Sequence, residues 1–368
     1  MIKIIIFGTG STSFKVISML NKNTKIIAFA DNDKSKCGKK INDVEIIYPS
    51  NILEYTFDYI IIASQFNEDI YSQLIKLKVD KNKIIQFYKI LDEINSYVEN
   101  KINSFKKEDY SNTELIITGI SYCNLGFRED ICLKNAYKFA FASQDIFYDY
   151  KIMKYVIENG FYNINKFKYV IIGLCYYSFQ YDMSLSSMKN KVMLYYKFLK
   201  TAHNFKNYNN NFIENDYELN KLLFSKVFQN EKKVDSYCDV RLDSLIDIEN
   251  KYMIGKKQAF LDCNKNYPET VRENKQIFKN YLHLLEDYNI KPIVVIFPAS
   301  KHYTKYFSKR IEDEFHSIIK EVRQEHDFQY IDYFRSDLFN DDDFQDVSHL
   351  NSKGAEKFTK ILNEAIEW

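Results

Sequence analysis

The sequence predicts an α/β protein made of two successive three-layer αβα domains, each a mainly parallel sheet with helices on both faces. Three observations predict it. Residues 2–7 and 114–118 are nearly continuous apolar runs rich in β-branched residues, as expected for strands buried on both faces. Each run ends in a glycine turn, at Gly8 and Gly119, that leads into a helical pattern. At 368 residues the chain is also too long for one typical domain. The expected boundaries are 1–90 for the first domain, 91–112 for a helical linker and 113–368 for the second. A helical insertion is expected at about 182–282.

Bulk properties narrow the class. A hydrophobic fraction of 46% and an aromatic fraction of 16% exclude a disordered chain. Lys+Arg 51 against Asp+Glu 50 gives a net charge of +1, so no basic excess points to nucleic acid or an anionic membrane. The six cysteines (37, 123, 132, 175, 238, 263) form no CxxC and read as free thiols of a reducing compartment. No apolar run reaches the roughly 18 residues of a membrane span, and the first apolar run is too short for a signal-peptide core. A cytoplasmic location is expected.

In the first domain, the strand at 2–7 runs into Gly8-Thr9-Gly10-Ser11-Thr12-Ser13 and a helix to about residue 20. A second strand at 25–30 ends in Asp31, where a ribose-binding acid would sit. Gly8 and Gly10 let backbone approach a phosphate, and Ser11 opens the helix whose N-terminus favours negative charge. Ser13 replaces the third glycine of the dinucleotide fingerprint. Strands at 44–47, 59–63 and 83–87 follow, with Ser64 at the ligand edge of the second of these. This order resembles the Rossmann-like domains attached to sugar-modifying enzymes of bacterial surface-glycan synthesis, over residues 1–90. The resemblance implies a nucleotide, nucleotide-sugar or CoA ligand; a docking module with an empty pocket is the alternative. No nearby Tyr-x-x-x-Lys supplies hydride-transfer chemistry, so redox catalysis is the weaker reading.

Two stretches of the second domain carry chemistry. The strand at 114–118 ends Gly119-Ile120-Ser121, which puts a serine and nearby backbone N–H groups at the sheet's C-terminal edge. Such a serine is either a nucleophile or a helix cap. Near the end of the chain, Asp346 lies three residues before His349 in a polar loop. That spacing lets the carboxylate orient an imidazole that takes the nucleophile's proton.

The order Ser121…Asp346-x-x-His349 resembles the SGNH (GDSL-like) hydrolase superfamily, over residues 113–368. It resembles most the branch holding the D-alanyl-lipoteichoic acid biosynthesis protein and O-acyltransferases of surface polysaccharides. The resemblance implies Ser121 as nucleophile, His349 as general base and Asp346 as its orienting partner, with no cofactor or metal needed for catalysis. Residues 135–149, 169–178 and 293–300 also match. The pattern departs where Ala142-Ser143-Gln144 replaces the second block's glycine and Cys175-Tyr176-Tyr177-Ser178 the third block's asparagine. An oxyanion hole would then use the backbone N–H groups of Tyr122 and Ser143, with Tyr177 or Ser178 assisting.

Elsewhere, His302 follows the strand at 293–297 and is a candidate substrate contact. Asp341, Asp342 and Asp343 form an acidic turn that reads as solvated, with a divalent cation as the weaker reading. The aromatics Tyr195, Tyr196, Phe198, Phe224 and Phe228 have helical spacing and read as core, with stacking on sugar rings as the alternative. The expected function is a serine-dependent acyl esterase or O-acyltransferase acting on a carbohydrate or glycan precursor. A non-catalytic scaffold and a transferase of a phosphoryl-linked substituent are the competing readings.

Overall fold

The computed structural model describes residues 1–64, 66–87, 97–107, 110–205, 210–229 and 244–368. It is α/β, and the backbone divides into two units: Met1–Tyr97 with Ser184–Asp235, and Val98–Met183 with Ser236–Trp368.

The first unit holds β1 (Ile2–Phe7), β2 (Thr24–Ala30), β3 (Lys40–Ile41), β4 (Val44–Ile47), β5 (Tyr59–Ile62) and β6 (Ile84–Gln86). Their order is β3-β4-β2-β1-β5-β6, parallel except for the β3–β4 hairpin. That hairpin turns through Asn42 and Asp43, both at positive φ, the backbone a tight two-residue hairpin needs. At two residues, β3 leaves no periodic signal in the sequence.

Alternation along the strands sorts the core onto two faces. Ile5, Phe7, Ala28, Ala30, Ile60 and Ile62 face Ile70 and Leu74 of the helix Asn67–Lys76. Ile4, Ile6, Phe29 and Ile61 face Val16 and Met19 of the helix Ser11–Met19. They also face Leu223, Phe224, Val227 and Phe228. This corrects the expected boundaries. The segment 184–229 is not part of an insertion wholly within the second domain; its helix Asn210–Val227 covers one face of the first sheet. A sheet of this kind needs apolar cover on both faces, and helix Ser11–Met19 alone leaves part of that face open. Phe224 and Phe228 stack at 4.0 Å and contact Phe87, and Tyr195 and Tyr196 are buried, so these aromatics are core. Residues 206–209 and 230–243 lie outside the described residues, as does all of 88–96 before the helix Tyr97–Lys107.

The second unit is a five-stranded parallel sheet in the order β11-β10-β9-β7-β8. The strands are β7 (Leu115–Gly119), β8 (Ala136–Ala140), β9 (Tyr169–Leu174), β10 (Lys291–Ile296) and β11 (Gln329–Asp332). β7 and β9 are buried along their whole length. The order reverses at β7: β8 lies on one side and β9 to β11 on the other. Such a switch point leaves a crevice at the strands' C-terminal ends, where ligands bind in open α/β sheets.

The recruitment of the helix Asn210–Val227 is testable at one side chain. Asn220 accepts from Gln86 N at 2.8 Å and donates to Gln86 O at 3.1 Å, closing the edge strand β6 as a paired strand would. Both bonds are buried. Asn220→Ala removes both buried bonds to the β6 backbone and is expected to cost about 1–3 kcal/mol in denaturant unfolding.

Candidate active site

Ser121 is placed by two glycines. Gly119 and Gly173 are register partners on β7 and β9. A Cβ on Gly119 would lie 2.5 Å from the Gly173 carbonyl oxygen, and φ at Gly119 is +145°. A Cβ on Gly173 would lie 2.5 Å from Cys123 Cβ. The bare backbone thus lets Cys123 settle on the sheet and seats the short helix Ser121–Gly126 at the switch point. Lys138 donates to the carbonyls of Asn124 and Phe127 at 2.7 and 2.9 Å, satisfying the far end of that helix. Ser121 is its first residue, so the amides beside it have no partner within the helix.

The loop carrying Asp346 and His349 is tied to two other elements. Val347 O accepts from Ser300 Oγ at 2.7 Å and Ser300 N at 3.2 Å. Asn351 caps the final helix Ser352–Ala365 by accepting from Gly354 N at 3.0 Å, and donates to Asp342 O at 2.8 Å. A Cβ on Gly354 would lie 2.0 Å from Asp343 O, so only glycine permits that approach. Inside the loop, Asp346 Oδ1 accepts from the amides of Ser348 and His349 at 2.8 and 2.9 Å and from Ser348 Oγ at 3.0 Å.

These supports bring together three residues far apart in the chain. Ser121 Oγ lies 2.9 Å from His349 Nε2, and His349 Nδ1 lies 3.0 Å from Asp346 Oδ2. Burial opposes ionisation of Asp346, but the His349 charge, their hydrogen bond and the two loop amides outweigh it and hold the carboxyl well below the usual range. Burial likewise pulls His349 down; the charge and hydrogen bond of Asp346 outweigh that and leave the imidazole raised. With Nδ1 donating to Asp346, Nε2 is the acceptor facing Ser121. That is the tautomer a general base needs. Burial raises the neighbouring thiols, Cys175 to about 12 and Cys123 higher still, which disfavours their thiolate forms.

The remaining predicted residues divide. Ser143 lies in the turn after β8 with φ +68°, and its carbonyl accepts from Tyr181 Oη at 3.0 Å. Ser178 Oγ is used within its own turn, accepting from Cys175 N at 2.9 Å. Tyr177 is buried. His302 pairs with Asp341 at 3.0 Å and not with the triad. Its strand-end position had suggested a cleft contact, but Asp341, which also binds Lys251 at 2.8 Å, is the nearer charge. Asp342 pairs with Lys353 and Asp343 with Lys357, so each acid of that turn has a cationic partner. Sequence reasoning missed Ser300, Ser348 and Asp262. Ser348 stood inside the motif and Ser300 at the end of the matching stretch 293–300, whereas nothing local marked Asp262.

In the first unit, Gly8, Gly10, Ser11, Asp31 and Ser64 all line one cavity of about 620 Å³, together with Lys36 and Gln73. Asp31 is already engaged: it accepts from Thr9 N at 3.2 Å, from Thr9 Oγ1, from Asp33 N at 2.9 Å and from Lys36 Nζ at 3.1 Å. Gly10 opens onto free space.

Residues 1–85 match the family described as C2185-like, N-terminal. No curated protein matches the chain. Among solved structures, it is similar to UDP-D-quinovosamine 4-dehydrogenase from Vibrio fischeri, 24% identical over 23% of this chain and 77% of that one, with a TM-score of 0.19. It is similar to a GDSL-like lipase from Bacteroides thetaiotaomicron, 9% identical over 74% of this chain and 98% of that one, TM-score 0.37. It is also similar to AlinE4, an SGNH-hydrolase family esterase, 12% identical over 69% and 94%, TM-score 0.27. At these TM-scores the functional reading rests on the site's own geometry. Among the described residues no helix is long and apolar enough to cross a membrane.

The Asp346–His349 pair predicts a pH window for stability. The raised His349 contributes fully below its unfolded value and loses that contribution as pH rises through its folded value. The lowered Asp346 contributes above the ordinary carboxylate range and loses that contribution as pH falls. Asp346→Asn should therefore destabilise more at pH 6 than at pH 9 in thermal or denaturant unfolding; an equal loss at both would show the pair to be uncoupled.

Proposed function

We propose that the second unit is a serine-dependent acyl esterase or O-acyltransferase acting on a carbohydrate or glycan precursor. The observation that carries this reading is the continuous Ser121–His349–Asp346 chain, at 2.9 and 3.0 Å, at the sheet's switch point. Ser121 Oγ attacks the acyl carbonyl while His349 Nε2 takes its proton. The tetrahedral intermediate collapses, and the leaving alcohol receives that proton from His349. Water or a sugar hydroxyl then attacks the acyl-enzyme by the same proton route, releasing acid or a new ester and restoring Ser121. Asp346 stabilises the imidazolium and holds its tautomer.

The oxyanion would be met by the backbone N–H groups of Tyr122 and Ser143. The Ser178 hydroxyl is engaged within its own turn, so the hole relies mainly on main chain where related sites add an asparagine. One side-chain donor fewer lowers rates roughly a hundred- to a thousand-fold, which suits a slow, specialised transferase better than a general esterase. The resemblance to polysaccharide O-acyltransferases supports a sugar acceptor. The cavity of the first unit would hold a phosphate-bearing nucleotide, nucleotide sugar or CoA. Its glycine turn admits backbone contact, Lys36 supplies a cation for phosphate, and Asp31, with its bonds to Thr9 and Lys36, shapes the turn.

A fluorophosphonate probe and a short-chain p-nitrophenyl ester test the catalytic reading. Both should react with the wild type. Ser121→Ala should abolish labelling, and His349→Ala should slow it by about a thousandfold or more. A folded wild type that neither labels nor turns over would sink the proposal. For the first unit, titration calorimetry with a UDP-sugar, ATP and CoA should show binding by at least one. Lys36→Glu should weaken that binding at least about tenfold; no binding by any of the three would return the cavity to a docking role.

A further inference from the structure

A buried chain of hydroxyls runs beside the imidazole and has no part in the steps above. The Tyr122 ring packs on the His349 ring with centroids 4.9 Å apart and planes tilted by 33°. Its hydroxyl meets the Tyr303 hydroxyl at 3.5 Å. Tyr303 donates to Asp262 Oδ2 at 2.9 Å, and Gln258 Nε2 donates to the same oxygen at 2.9 Å. Tyr122 and Tyr303 are buried, and Asp262 lies near the end of the helix Lys251–Cys263. That helix is seated by Gly255, where a Cβ would lie 2.1 Å from His302 O. A carboxylate in such surroundings is costly unless its lone pairs are met. Here a tyrosine and a glutamine both donate to Oδ2, with Lys265 nearby.

We propose that Asp262 is a second acidic positioning residue of this active site. Through the Tyr303 and Tyr122 hydroxyls it fixes the ring that packs on His349, and its negative charge supports the imidazolium formed during acylation. The proposal rests on the esterase reading for its catalytic consequence, but not for its geometry. The groups in contact with His349 come from two elements, Asp346 and Ser348 on its own loop and Ser121 and Tyr122 on the short helix; Asp262, on Lys251–Cys263, lies one step beyond them, behind Tyr303. Asp346 acts by direct contact. Asp262 touches no reacting atom and acts through the tyrosines and through space. Burial raises its own carboxyl above the usual range, against the bonds from Gln258 and Tyr303 and the charge of Lys265. Its support of His349 therefore strengthens as pH rises through its ionisation.

The test follows the imidazole itself. Selectively ¹⁵N-histidine-labelled full-length protein is titrated by NMR, with His349 assigned from His349→Gln. Asp262→Asn keeps the shape and an acceptor for Tyr303 but removes the charge. It should lower the His349 pKa by about half a unit or more, and shift the pH profile of fluorophosphonate labelling the same way. Tyr303→Phe should act in the same direction, because Asp262 loses a donor and the Tyr122 ring its anchor. Asp262→Glu should restore most of the effect. Thermal melting separates these changes from a loss of fold. A His349 titration unchanged in folded Asp262→Asn and Tyr303→Phe overturns the proposal. A wild type that does not label overturns the esterase reading alone, since the titration still decides the role of Asp262.

Discussion

Gly119 and Gly173 face one another on adjacent central strands, and no side chain fits between them. That close approach governs the second unit. Cys123 fills the space the glycines leave, and the short helix beginning at Ser121 is drawn onto the sheet. A methyl group at either glycine would force apart backbone and a buried thiol, with little flexible side chain to give way. The position of Ser121 thus follows from missing side chains on the strands beneath it.

The other half of the site depends on loops that could not hold themselves. The Asp346–His349 loop is fastened through Ser300, and the acidic turn before it through Asn351 and Gly354. Once fastened, its electrostatics follow from contact. A carboxylate with two amides, a serine hydroxyl and an imidazole around it stays ionised despite burial, and the imidazole is raised in turn. Buried polar groups of this kind make a site definite because each must find a partner. The chain of Tyr122, Tyr303 and Asp262 extends the same logic one layer outward.

Much of this was legible in the chain. The strand at 2–7, the glycine turns, Asp31 and the Ser121…Asp346-x-x-His349 order are local patterns, and local patterns report on backbone geometry directly. The five residues expected around the first cavity do line it, because they sit at strand ends that a parallel sheet brings to one edge. The expected insertion failed where the pattern was ambiguous. The spacing in 210–227 shows an amphipathic helix but not which sheet its apolar face covers. His302 shows the same limit of local pattern. Its place after β10 was read correctly, yet its partner Asp341 lies 39 positions away and is set by the path of a later loop.

The Asp346-x-x-His349 motif and Ser121 were determined by the sequence alone, since a three-residue spacing and a strand-ending glycine each constrain only their neighbours. Their meeting across 228 positions was decided by the tertiary structure. So was the placing of Asp262 against Tyr303, since its only sequence signal is an acid in a helix. Hydrogen bonds among buried side chains depend on which faces pack together, and that is settled only when the whole sheet has chosen its cover.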